Sequence, residues 1–488
     1  MAPMSLDQVR AYCSSYRAVP IARSLYADRR TPVEVLRIVK HISPRCYLFE
    51  SMEDSQQWGR YTFLGYEPQL EITCTDGVLH IKAGGDIAVH SDEPDDYIRQ
   101  IVADNKAPRI EGLPPFTGGL VGYFSYDYIK YTEPSLKISA GDDEHFQDFD
   151  LMLFDKVIAF DHLKQQIILV ANVRLDDVEE NYNRACLELD RMARLIQDGE
   201  KDQPEPLHLD GPFEALFEQD EYCTMVDRAK HFIREGDIFQ VVLSNRLRAK
   251  AHGSLLDTYR VLRTVNPSPY MFYLSGDDME IAGSSPETLV RLENGVLHTY
   301  PLAGTRRRGA TPAEDAALEQ ELLQDPKELA EHNMLVDLGR NDLGKLSVFG
   351  TVQLENFHHI LRFSHVMHMG STISSQIRPD KDAVHAVGAV LPAGTLSGAP
   401  KLRACQIIDE LEQNKRGIYG GAVGYIDFTG NMDLCIAIRL AYKIKDNVYV
   451  RSGAGIVADS VPESEYQECL NKAQAVVTAL READGGID

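Results

Sequence analysis

Apolar positions along this chain follow two rhythms. In RCYLFES (45–51), GRYTFLGY (59–66), LEITCT (70–75) and GVLHIKA (77–83) they alternate or run on unbroken for a few residues, the pattern of strands covered on one or both faces. KVIAFDHLKQQIILVANV (156–173) holds two such runs joined by a polar turn, which predicts a hairpin. VEENYNRACLELDRMARLIQ (178–197) spaces its apolar residues three and four apart and predicts a helix.

Beyond residue 212 the two rhythms are mixed. DEYCTMVDRAKHFIRE (220–235) reads as a helix ending at Gly236, and FQVVLSNRLRA follows as a strand. Further helices are predicted over 313–338, 382–390, 399–412 and 463–482. Strands are predicted in MFYLS, EIAGS, TLVRLENGVLHTYPL, GGAVGYIDF, DLCIAIRLAYKI and NVYVRSGAG. Strand runs without regular βαβ alternation predict an α+β fold of mainly antiparallel sheet with flanking helices. The polar stretch DGEKDQPEPLHLDGP (198–212) carries three prolines and reads as a linker or a long surface crossing, dividing an N-terminal region, 1–212, from a C-terminal region, 213–488.

Composition narrows the class. A formal net charge of -24 with 44% hydrophobic residues describes a soluble globular protein and argues against a nucleic-acid binder, which would present a basic face. No apolar run approaches the roughly 18 residues of a membrane span, and the first residues lack the pattern of a signal peptide. Cys13, Cys46, Cys74, Cys186, Cys223, Cys405, Cys435 and Cys469 lie far apart with no CxxC pair, which predicts reduced thiols and a cytoplasmic location.

Several groups carry possible chemistry. Glu328 and Glu331 share one face of a predicted helix, and Glu465 and Glu468 repeat the spacing near the start of another. That spacing serves a solvated or capping face equally well, or two helices presenting carboxylates to one hard cation such as Mg²⁺. Gly453-Ala454-Gly455 after a strand, and Gly394-Thr395 with Ser397-Gly398 before a helix, form turns able to cradle a carboxylate, or ordinary tight turns. Neither matches a dinucleotide or phosphate-loop fingerprint. Arg439 lies inside CIAIRLAY, where burial demands an anion, either a substrate carboxylate or an internal partner. His368 can act as general acid or base, and His365, His358 and His359 compete with it.

PLAGTRRRG, DPKELAEHNMLVDLGRNDLG, LPAGTLSGAPKLRA, GIYGGAVGYIDFTGNMDLCIAIR and VRSGAGIVADSVPESEYQECLNKA resemble, in order and spacing, the chorismate-utilising enzymes over nearly all of 213–482. The likeness is greatest to their anthranilate synthase component I branch. YLFESMED…WGRYTFLG and NPSPYMF (266–272) are similar to that branch's tryptophan-sensing segments. The resemblance implies that 213–488 is the chorismate-binding catalytic region and that 1–212 contributes a feedback site. It implies Mg²⁺ on Glu331 and Glu468, with Glu328 and Glu465 behind them or bridged through water. It implies chorismate contacts from Gly304, Thr305, Tyr419, Arg439, Gly453, Ala454 and Gly455, with Lys472 nearby and Thr395 touching substrate. It gives His368 a part in the elimination chemistry, and Glu50, Ser51, Pro269, Tyr270 and Met271 the feedback site.

Two positions narrow the implied reaction. Members that add water resemble this chain but carry a lysine base where it has Gln240, and an amide cannot activate water. Members that stop at aminodeoxychorismate carry lysine where this chain has Ala303. The resemblance therefore implies a lyase that adds ammonia to chorismate and releases pyruvate. No glutaminase signature is present, so it also implies a separate glutamine amidotransferase subunit in a hetero-oligomer. The chain departs from the family pattern at Arg306-Arg307-Arg308 (usually Arg-Pro-Arg), Gly339 (usually Ala) and Phe49 (usually Leu).

Overall fold

Two antiparallel sheets stack face to face, and each is covered on its outer side by helices. The computed structural model describes residues 3–52, 59–362 and 366–487. Among these, one sheet has 13 strands and the other 12. Alternation along single strands shows why the apolar runs are unbroken. In Cys46–Glu50, Tyr47 enters the core between the sheets while Cys46 and Leu48 enter the core under the outer helices. In Gly119–Phe124, Val121 and Tyr123 face the other sheet while Leu120 and Phe124 meet the helices behind. Strands covered on both faces need apolar residues at nearly every position. The α+β class with flanking helices is the observed architecture.

Both sheets take strands from either side of residue 212. The larger sheet runs from Ala18–Tyr26 through Cys46–Glu50 and Tyr270–Ser275 to Gln240–His252. The composition break at 198–212 is thus a surface crossing over a shared core. All eight cysteines are free, and no described helix is long and apolar enough to cross a membrane.

Four predicted elements differ from those observed, each for a local reason. The helix expected over 313–338 is two helices, Pro312–Gln324 and Pro326–Gly344. Pro326 has no N–H to continue the first, and the Asp325 side chain caps the second by accepting from Lys327 and Glu328 N–H. TLVRLENGVLHTYPL is a hairpin, Thr288–Glu293 and Val296–Thr299, because Asn294 and Gly295 both take positive φ (52° and 81°) in the turn. The helix expected from 399 starts at Lys401, after Pro400. The fourth difference positions the site. DLCIAIRLAYKI is not one strand: Met432–Ile436 belongs to the smaller sheet and Leu440–Ile444 to the larger.

That break has a neighbour. Met279–Ser285 lies in the larger sheet and Thr288–Glu293 in the smaller, so two adjacent antiparallel strands cross from sheet to sheet together. The crossings are tied by hydrogen bonds from Ile436 N to Glu287 O (2.9 Å) and from Ser284 N to Arg439 O (3.0 Å). Arg439 takes the left-handed conformation, φ 52°, at its crossing, and Glu287 follows Pro286 at the other.

Candidate active site

A cavity of about 340 Å³ opens beside these crossings. Strands Gln240–His252 and Asn447–Ile456 supply one wall, helices Pro326–Gly344 and Pro462–Glu482 another, and the Gly394–Leu396 turn a third. Gln240, Glu287, Thr395, Tyr419, Arg439, Gly453, Gly455 and Lys472 all line it. Gln240 lies against backbone: a Cβ on Gly455 would come within 2.6 Å of its Nε2, so the glycine makes room for the amide.

Glu287 was not singled out by sequence reasoning. In SSPETL it reads as a polar turn between strands, and only the paired crossing sets it, half-buried, in the cavity wall. Burial pushes its carboxyl up to about 7, against the lowering effects of the Thr395 hydrogen bond and the Arg439 charge. Thr395 Oγ1 donates to Glu287 Oε1 at 3.3 Å. Burial in turn lowers the pKa of the Arg439 guanidinium, which Glu287 partly offsets. The site thus holds a half-buried cation beside a carboxyl that keeps its proton below about pH 7, an arrangement able to bind an incoming anion and to give up a proton.

The floor of the cavity is fixed by a buried ion pair. Arg416 donates to Glu412 through Nε (2.9 Å), and to the carbonyls of Leu396 (2.6 Å) and Val242 (2.7 Å). Its guanidinium lies 5.8 Å from the Tyr419 ring centroid, so the tyrosine rests on a cation held in place by hydrogen bonds to Glu412, Leu396 and Val242.

Glu331, Glu465 and Glu468 line the wall opposite the strands, with Lys327 and Lys472. Burial raises the Glu331 pKa, and the charges of Glu328 and Glu468 raise it further. Burial and Glu468 do the same to Glu465, against a hydrogen bond from Ser460. Lys472 Nζ lies 2.7 Å from Glu468 Oε1. Mutually repelling carboxylate oxygens are a donor set suited to a hard divalent cation. Among the described residues, no three of the His, Cys, Asp and Glu side chains stand close enough together to form a closed metal site.

Other expected site residues lie elsewhere. Ala454 alternates away from Gly453 and Gly455 and packs into an apolar cluster with Ala404 and Ile456. Glu328 faces Arg306 Nη1 at 3.3 Å and does not line the cavity. Gly304, Thr305 and His368 form a group beside it. His368 Nδ1 is 3.0 Å from Thr305 Oγ1 and 3.2 Å from Gly304 O. A carbonyl only accepts, so Nδ1 carries the proton and Nε2 the lone pair. Burial lowers the His368 pKa, and the charge of Arg439 lowers it further. The three arginines pair with the protein's own acids. Arg306 meets Glu321 (2.9 Å) and Asp325 (2.8 Å) besides Glu328, Arg307 meets Glu314 (2.7 Å), and Arg308 meets Asp315 (2.8 Å). Arg306 thereby pins the capped end of the helix that carries Glu331. His358 and His359 sit on the strand Gln353–Arg362 away from the cavity, and His365 lies outside the described residues.

Residues 44–478 match the family described as chorismate binding enzyme. The chain belongs to that family. Relatives span nearly its whole length. Anthranilate synthase component 1 of Acetivibrio thermocellus is 44% identical over 98% of each chain, and that of Acinetobacter calcoaceticus 45% identical over 97% of each. The crystal structure of anthranilate synthase component I from Streptococcus pneumoniae TIGR4 superposes with a TM-score of 0.74 at 37% identity, covering 86% of this chain and 92% of that one. A menaquinone-specific isochorismate synthase from Escherichia coli shares the fold at 20% identity, with a TM-score of 0.69.

This chorismate binding enzyme has a second, larger cavity of about 520 Å³ between the sheets. Glu50, Ser51, Pro269, Tyr270 and Met271 line it with Phe49. Strand pairing sets Met271 opposite Glu50. Glu50 is held by Tyr259 Oη (2.5 Å) and by Arg263. Residues 53–58 of the same segment, Trp58 included, lie outside the described residues.

Proposed function

We propose that the chain is the aminating component of an anthranilate synthase, turning chorismate and ammonia into anthranilate, pyruvate and water. The observation that carries this reading is the single cavity that joins Arg439, the raised-pKa carboxyl of Glu287 and the amide of Gln240. The full-length relatives of the same name support it.

Arg439, with Tyr419, holds a substrate carboxylate by charge-assisted hydrogen bonds. Ammonia brings its own lone pair, so attack on the ring carbon beside the ring carboxylate needs no base at Gln240. As the C–N bond forms, the ring double bonds shift and the C–O bond to the ring hydroxyl breaks. Glu287 supplies the proton with which that oxygen leaves as water. The amine sheds its extra proton. In the second step, to which His368 beside the cavity contributes, the hydrogen on the aminated carbon leaves as a proton, the enolpyruvyl C–O bond breaks, and the ring becomes aromatic. The departing enolate gains a proton and leaves as pyruvate.

Glu331 and Glu468 would hold Mg²⁺, with Glu465 supporting them through water. Bound there, Mg²⁺ supplies positive charge against a substrate carboxylate as negative charge shifts within the ring. A separate glutamine amidotransferase subunit provides ammonia, and the cavity at Glu50–Ser51 takes tryptophan as inhibitor. Eight free thiols fit a cytoplasmic enzyme.

Incubation with chorismate, Mg²⁺ and ¹⁵N-ammonium tests the reading. Anthranilate carrying the label is the expected product. Aminodeoxychorismate without pyruvate, or isochorismate, would overturn it.

A further inference from the structure

Tyr270 stands between the two cavities. It lines the larger one together with Asp433, and its hydroxyl lies 2.8 Å from Asp433 Oδ1 and 2.9 Å from Thr288 Oγ1, which lines neither. The phenol has one proton, and the Asp433 carboxylate can only accept it. The Thr288 hydroxyl therefore donates to the phenol oxygen.

Both partners belong to the paired crossings. Thr288 is the peptide neighbour of Glu287. Asp433 lies on Met432–Ile436, the strand that ends in the crossing bearing Arg439. These strands are locked side by side, Thr288 opposite Cys435, and the register slips just after Thr288. Tyr270 itself sits opposite Ser285, two residues before Glu287. One hydroxyl thus joins the wall of the larger cavity to both chain crossings that present the acid and the arginine to chorismate. Packed strands pass on small displacements, and the left-handed Arg439 leaves its crossing little slack to absorb them.

We propose that the Tyr270 hydroxyl, acting through Thr288 and Asp433, is the positioning link by which a ligand in the Glu50–Ser51 cavity shifts Glu287 and Arg439 and weakens chorismate binding. The inference rests on the feedback role proposed for that cavity. A ligand has this effect only if it favours one arrangement of the crossings over the other, and the coupling is reciprocal. Chorismate must then weaken tryptophan binding by the factor by which tryptophan weakens chorismate binding.

Thr288→Val tests the link, because Thr288 lines neither cavity and the variant removes no ligand contact. Equilibrium dialysis with labelled tryptophan, with and without chorismate, reads the coupling ratio directly. Wild type is expected to show a ratio of about fivefold or more. In Thr288→Val the ratio falls toward one while tryptophan still binds without chorismate. Thr288→Ser, which keeps the hydroxyl, retains the wild-type ratio. Tyr270→Phe gives a second measurement should Thr288→Val fold poorly, and its ratio falls in the same way. A wild-type ratio in both Thr288→Val and Tyr270→Phe would overturn the link, as would loss of inhibition explained wholly by weaker tryptophan binding. If wild type binds no tryptophan, the feedback reading itself fails, and the link with it.

Discussion

The Thr395 hydroxyl donates to Glu287 Oε1, and through that bond the Gly394–Leu396 turn meets the crossing between the two sheets. The contact joins residues 108 apart in sequence and sets the most perturbed carboxyl of the cavity against the substrate space.

Burial raises the Glu287 pKa from 4.5 to about 7, so the folded state keeps a proton that the unfolded chain releases between those values. The stability this group contributes is full below its unfolded pKa and is lost as pH rises through 7. Glu287→Gln removes that loss. Urea unfolding should show the variant gaining up to ~3 kcal/mol on wild type at pH 8 and much less at pH 5. Its kcat should fall about 10²-fold or more, because the amide cannot donate a proton to the leaving hydroxyl.

The same proton shapes the rate profile of wild type. With ammonium as donor, kcat/KM divided by the concentration of free ammonia should be flat at low pH and decline as pH passes about 7, when Glu287 loses its proton. A normalised rate still rising through pH 8 would rule Glu287 out as the acid.

Arg439→Lys keeps the charge but loses the planar fork. The expected result is a rise of about tenfold or more in the KM for chorismate, with a smaller change in kcat, read from initial rates of anthranilate fluorescence.

Gly455→Ala would set a Cβ 2.6 Å from Gln240 Nε2 and push the amide into the substrate space. A loss of about tenfold in kcat/KM is expected, with circular dichroism unchanged.

Much of this was readable in the sequence, for physical reasons that particular elements make clear. Strands such as Cys46–Glu50 are covered on both faces, so their apolar runs announce them. Gln240, Thr395, Tyr419, Arg439, Glu331, Glu465 and Glu468 are polar residues in distinctive local strings, and the structure brings them to one cavity. Glu287 escaped because its setting is created by tertiary crossing: nothing in SSPETL distinguishes a half-buried acid from a surface turn. The break in DLCIAIRLAYKI escaped for the same reason, since its composition suits a continuous strand while the backbone reverses hand at Arg439. Ala454 was grouped with its flanking glycines, although alternation along the strand sends its side chain into the core. The arginines of 306–308 are all taken up by the protein's own acids, Glu314, Asp315, Glu321, Asp325 and Glu328.

The most direct test of the central claim is product stoichiometry. Purified protein given chorismate, Mg²⁺ and ammonium at raised pH should release anthranilate and pyruvate in equal amounts, anthranilate followed by its fluorescence and pyruvate by coupled reduction. Chorismate consumed without pyruvate, or pyruvate released without an aromatic amine, would contradict the account.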